Sequence, residues 1–197
     1  RANNVVKEVS DNMDKFDLGI AAQKIYDFAW SEYCDWYIEI VKPRLYSEDK
    51  EAKQTALYTL TYVLEKILKL LHPYMPFITE EIYTHLPTVE GSIVIAQWPH
   101  YTEADNMAKE EDMMNLTMDG IRNIRNVRSE MNVPPSKKAK VIIVPTEEKK
   151  EAMEAGKDYF VTLSSASEVE IVADETNIPE DAVSVVIDGV KIFIPLD

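Results

Sequence analysis

A single cysteine, Cys34, excludes an internal disulfide and suits a reducing cytoplasm. Five glycines in 197 residues leave few places for tight turns and favour helices. No apolar run approaches the roughly 18 residues that span a bilayer, and no basic start precedes an apolar stretch, so no membrane segment or secretory signal is expected. The chain also lacks Gly-x-x-x-x-Gly-Lys, Gly-x-Gly-x-x-Gly and Gly-x-Ser-x-Gly, hence any phosphate cradle or nucleophile elbow. His72, His85 and His100 lie far apart, and none forms a ligand spacing with a carboxylate, so no metal is expected. Glu81 and His85, four apart on one helix face, read as a solvated pair. Cys34 has no nearby histidine and reads as a small hydrophobe. Nothing in these residues signals catalysis.

Positive charge is scarce too. The net charge of −14 argues against a general polyanion binder, but the distribution matters more than the sum. Residues 1–102 carry −5, 103–120 carry −5 and 146–197 carry −9, whereas 121–145 carry +5, six Lys/Arg less Glu130. One basic window in an acidic chain is a place for one phosphate backbone to touch. Ten Tyr, five Phe and three Trp supply aromatic area for a core. The first residue is Arg1, and Asn3 to Met13 already reads as helix, so the chain is taken as part of a longer one, beginning inside or just before a helix.

The first two thirds have helical periodicity. From Asp17, a candidate N-cap, apolar residues recur at Leu18, Ala22, Ile25, Ala29, Trp36 and Ile40, with a bend or stop expected at Pro43. A second helix follows Ser47, with Ala56, Leu60, Val63, Ile67 and Leu71 inward, and stops before Pro73. Pro76 opens a shorter helix closed by Pro87. Residues 92–99 read as an extended segment laid over the bundle. Glu103 to Met131 reads as a helix with Met114, Met118, Ile121, Ile124, Val127 and Met131 inward. Beyond Pro135 the period changes. Residues 140–144, 169–172, 183–187 and 190–194 read as strands, 147–160 as a helix, and Asp188-Gly189 as a hairpin turn. The expected fold is mainly α: a helical bundle over 1–133, then a small α+β extension over 134–197.

The basic window carries the candidate site. Arg122, Arg125 and Arg128 recur every third residue, making a slanting row roughly 9 Å long at about 1.5 Å per residue. Forked guanidinium donors suit phosphates and base edges. Each position has a plain alternative. Arg122 is either an RNA contact or a solvated charge, and Arg125 lies at the edge of the apolar stripe. Arg128 falls inside that stripe, which suits a buried arginine paired with a carboxylate such as Asp35 or Glu39. Lys137, Lys138 and Lys140 either continue the positive surface or are a solvated loop. Trp36, with Tyr33 and Tyr37, either stacks bases or fills the core. Lys42 and Arg44, flanking Pro43, are either backbone contacts or surface charges.

Several motifs resemble one family. Cys-Asp-Trp-Tyr-Ile-Glu at 34–39, Lys-Pro-Arg-Leu-Tyr at 42–46 and Lys-Phe-Asp-Leu-Gly at 15–19 look like the anticodon domain of valyl-tRNA synthetases. His-Pro-Tyr-Met-Pro-Phe-Ile-Thr-Glu-Glu at 72–81 and Ser-Ile-Val-Ile-Ala-Gln-Trp-Pro at 92–99 resemble segments shared by the class I synthetases for valine, isoleucine, leucine and methionine. Ile-Arg-Asn-Ile-Arg at 121–125 and Met-Asn-Val-Pro-Pro-Ser-Lys-Lys at 131–138 point back to the valyl branch. The resemblance covers nearly the whole chain in order.

It implies a class I anticodon-binding bundle that holds the anticodon stem-loop of valine tRNA, a small α/β extension, and a coiled-coil arm beginning about where the chain stops, at Asp197. The implied parent is an ATP- and Mg-dependent valine–tRNA ligase of cytoplasmic protein synthesis. Its His-Ile-Gly-His and Lys-Met-Ser-Lys-Ser motifs are absent here, and Pro135-Ser136-Lys137-Lys138 is a superficial echo of the second. The implied partners are therefore tRNA and the other synthetase domains, with no cofactor, membrane or DNA. The rival reading is a helical protein-interaction domain with an acidic surface.

Overall fold

Helix α1 (Ala2–Asp14) turns Val5, Val6 and Val9 to one side, and this stripe meets Ala21, Ile25, Phe28, Tyr33, Ile67 and Leu70 in the main core of the first unit. The structure is a computed structural model describing residues 1–195, so the position of the expected arm, at Asp197, lies outside the described residues. Two compact units divide between Asn106 and Met107.

After α2 (Leu18–Asp27), residues Phe28–Tyr37 wind in wider π-helical turns and pass into α3 (Ile38–Leu45). Bonding from i to i+5 advances the inward face by five residues, which puts both Phe28 and Tyr33 in the core. Of the expected stripe Ile25, Trp36 and Ile40 are buried and Ala22 and Ala29 half-buried, whereas Leu18 is exposed and Ala21, Phe28 and Tyr33 join the core instead. Asp17 stands at the N-cap position without a side-chain cap bond. Pro43 does not stop the helix, which reaches Leu45. The Tyr33 hydroxyl donates to the Leu60 carbonyl at 2.9 Å, and burial pushes its pKa up to about 12.

Asp49 caps α4 (Lys50–Leu71), accepting from the Glu51 and Ala52 amides at 3.0 and 3.1 Å. Pro76 opens α5 (Pro76–Thr84) at its first turn. The segment after α5 is not simply extended, because Ile93–Ile95 forms a 3-10 turn held by Glu80, whose carboxylate accepts from the Ile93 amide at 3.0 Å. Buried Asn3 ties the segment's far end to α1, donating to the Thr102 carbonyl and Asn106 Oδ1, both at 2.8 Å.

The second unit begins with α6 (Ala108–Glu130), followed by β1 (Ala139–Pro145), α7 (Lys150–Leu163), β2 (Ala166–Ile171) and the hairpin β3 (Val183–Ile187)–β4 (Val190–Ile194). Asp188-Gly189 makes the hairpin turn, with Gly189 at φ +73. The sheet order is β2-β1-β4-β3; β1 and β2 run parallel across α7, and the other neighbours are antiparallel. Here the expected boundary near residue 134 moves. Helix α6 packs against α7, β3 and β4, so it belongs with the sheet and not with the bundle.

Small residues explain that packing. A Cβ on Gly156 of α7 would lie 2.4 Å from Thr117 Oγ1 of α6, and one on Gly120 of α6 would lie 2.7 Å from Phe160 Cε1 of α7. Each glycine receives a side chain of the other helix. The inward stripe of α6 is therefore Leu116, Thr117, Gly120, Ile121, Ile124 and Arg128, while Met114, Met118, Val127 and Met131 are only half-buried. Gly156→Ala should cost about 1–3 kcal/mol through overpacking, partly offset by alanine's helix propensity, about 1 kcal/mol. Adding Thr117→Ala, which removes the two closest atoms, should recover stability, and a double-mutant cycle by urea denaturation checks this. Additive losses would mean that the helices separate freely.

Candidate nucleic-acid interface

The basic window occupies the last turns of α6 and the loop that follows. Asn132, at φ +55, ends the helix: its amide donates to Ser129 and that of Val133 to Arg128, at 3.0 and 2.9 Å, the Schellman pattern. Pro134 and Pro135 cannot continue a helix, and the Lys137 amide donates to the Pro134 carbonyl at 3.0 Å, closing a turn.

The three arginines have different environments. Arg122 is exposed, with Nη1 2.7 Å from Asp119 Oδ1 one turn back. Arg125 is exposed as well, but its Nε donates at 2.8 Å to the carbonyl of Leu163, the last residue of α7, where a cation also suits the helix dipole. Arg128 is only 6% exposed, and its Nη2 donates to the carbonyls of Pro134, at 3.3 Å, and Lys137. The expected carboxylate partner is thus corrected: main-chain oxygens of the following turn take that role. A carbonyl satisfies a buried guanidinium without a second charge having to be desolvated.

The structure therefore brings Arg128 together with the turn that carries Lys137 and Lys138, both exposed. Lys140, on β1, pairs with Glu170 of β2 at 2.7 Å, and this bond holds its ammonium above the usual lysine range. Lys42 pairs with Glu39 at 2.5 Å, and Arg44 is exposed in the last turn of α3. These pairs are solvent-exposed and screened, so a phosphate can replace the carboxylate. Trp36 does not offer a stacking face, being 8% exposed.

Two rings that the sequence reading passed over are open instead. Tyr58 and Tyr62 of α4 are exposed and stacked, with centroids 5.9 Å apart at 14°, and Lys66 Nζ lies 4.6 Å above the Tyr62 ring. Their signal was the four-residue spacing on the face opposite Ala56 and Ile67.

Burial, with Asp35 adding to it, pushes the Cys34 thiol up, against nucleophilic use. Among the described residues no group of three or more His, Cys, Asp or Glu is placed to hold a metal ion, and no helix is long and apolar enough to cross a membrane. His85 Nδ1 meets the Glu81 carbonyl at 2.7 Å and its carboxylate at 3.8 Å, an exposed pair.

The chain is similar along its whole length to enzymes called valine–tRNA ligase: it is 53% identical to that of Clostridium perfringens, 52% to that of Clostridium acetobutylicum and 40% to that of Bacillus cereus. In each case all of this chain is covered, and it spans 22% of the relative's length. A family model described as the anticodon-binding domain of tRNA ligase matches residues 1–143, which take in the bundle, α6 with its arginines, and the turn bearing Lys137 and Lys138. The chain belongs to the family of anticodon-binding domains of tRNA ligases.

Proposed function

We propose that this chain holds the anticodon stem-loop of valine tRNA on behalf of a valine–tRNA ligase, and so helps that enzyme select its tRNA during cytoplasmic protein synthesis. The observation that supports this reading most is the stretch of sequence with exposed cations at Arg122, Lys137 and Lys138, which stands in an otherwise acidic chain and inside the family match. Guanidinium and ammonium groups exposed on a helix and the turn after it suit an RNA backbone, where contact releases counterions. Arg125, Lys140, Lys42 and Arg44 supply further donors at the surface, and Tyr58 offers a ring for a splayed base. The chain's role is binding alone. ATP and Mg serve the remaining domains of the same polypeptide, which are its other partner.

The test is a titration of the chain with valine tRNA, with the anticodon stem-loop alone, and with a valine tRNA carrying a foreign anticodon. The stem-loop should retain most of the affinity of the whole tRNA, and the foreign anticodon should weaken binding. Equal binding of both anticodons would remove selection from the proposal, and failure to bind any of the three would remove RNA.

A further inference from the structure

Two strongly exposed apolar side chains of the first unit stand on segments joined by a hydrogen bond, the turn after α1 and the start of α5, away from the basic window in the sequence. Phe77 is 90% and Phe16 86% exposed. Phe16 takes a left-handed conformation, φ +61, in the turn that ends α1, where its amide donates to Met13 and that of Asp17 to Asn12. Glycine or asparagine fits this geometry with less strain, so capping does not explain a phenylalanine there. Leu18, two residues on, is exposed, and its carbonyl accepts from the Tyr74 hydroxyl at 2.7 Å. That bond sets the turn beside the start of α5, where Met75, Phe77, Ile78 and Ile82 are exposed too. Helix α5 is inside out: its buried positions are Thr79 and Tyr83, while Phe77, Ile78 and Ile82 meet water.

Apolar side chains left exposed on two joined segments mark an interface. We propose that the patch formed by Phe16, Leu18, Met75, Phe77, Ile78 and Ile82 is the surface on which the rest of the ligase polypeptide docks. This rests on the ligase reading above. The relatives continue well past the matched region, which is 22% of their length, so a covalently linked partner is at hand at high effective concentration. RNA is a poor occupant. Asp14, Asp17, Glu80 and Glu81 flank the patch against Lys15, leaving it acidic where phosphates would need cations.

Hydroxyl-radical footprinting of Phe16, Met75 and Phe77 tests this, comparing the isolated chain with the full-length ligase polypeptide that carries it. Labelling of Phe77 should fall roughly ten-fold in the full-length protein, the ratio of its present exposure to that of an interface core. In the full-length protein Phe77→Ser should restore labelling of Phe16 and Met75. In the isolated chain the same variant should leave the melting temperature unchanged, because that ring already lies in water. Equal labelling in the two proteins overturns the docking surface and leaves the ligase reading intact. Protection in the isolated chain, with a sedimenting dimer, gives the patch to a second copy and overturns it as well. A full-length protein that fails to charge valine tRNA overturns the ligase reading, and the proposal with it.

Discussion

Truncating Arg128 to alanine should destabilise the second unit by about 2–3 kcal/mol, because hydrogen bonds from a charged donor contribute about 1.5–3 kcal/mol and the stranded carbonyls are partly, not fully, buried. Urea denaturation followed by the far-ultraviolet signal would measure it. The informative control is Arg128→Met, which keeps most of the stem in its apolar slot but donates nothing. If Arg128→Met is as stable as the wild type, packing alone explains the burial and the carbonyl bonds contribute little. Arg128→Lys should recover less than half of the loss, since an ammonium cannot span the Pro134 and Lys137 carbonyls as a planar fork does. Removing Asp35 or Glu39, the carboxylates the sequence suggested, should not reproduce the effect. Because one acceptor is the Lys137 carbonyl, losing Arg128 should also loosen the turn that presents Lys137 and Lys138 and lower RNA affinity in proportion.

Binding of valine tRNA should respond to salt on a comparable scale. With three phosphates engaged, affinity should fall roughly 20- to 40-fold between about 50 and 200 mM monovalent salt. Arg122→Ala and Lys138→Ala should each weaken binding and reduce the log–log slope by roughly 0.7 to 0.9, one contact's worth. Asp119 sharpens the test, since its carboxylate sits 2.7 Å from the Arg122 guanidinium and competes with phosphate for it. Asp119→Ala should therefore tighten binding, whereas a purely structural pair would leave affinity unchanged. Filter binding or fluorescence anisotropy at a series of salt concentrations reads all three variants. Unchanged affinity and slope in both cation variants would leave this window a solvated face and move the search to Lys42, Arg44 and the exposed Tyr58 ring.

Local rules in the sequence were enough to define most elements. Pro76 opened α5, Asp188-Gly189 turned the β3–β4 hairpin, and the change from helical to alternating period after Pro135 marked where the sheet begins. Each of these depends on a few neighbouring residues, whose backbone preferences act at short range. The net charge and the one basic stretch were equally plain, because they are sums along the chain. Three other features were decided by packing between distant segments. Helix α6 joined the sheet because Gly120 and Gly156 let it meet α7 closely, a fit that no periodicity encodes. The inward face of the long helix took in both Phe28 and Tyr33 because its middle winds in π-helical turns, so the 3.6-residue period used to read it no longer held there. Arg128 found main-chain carbonyls and not a carboxylate, since the loop folds back within reach of its guanidinium. A sequence states which side chains are charged or apolar, but the partner of a buried donor and the exposure of a Phe77 depend on which surfaces other segments leave uncovered, and that is settled only when the chain closes on itself.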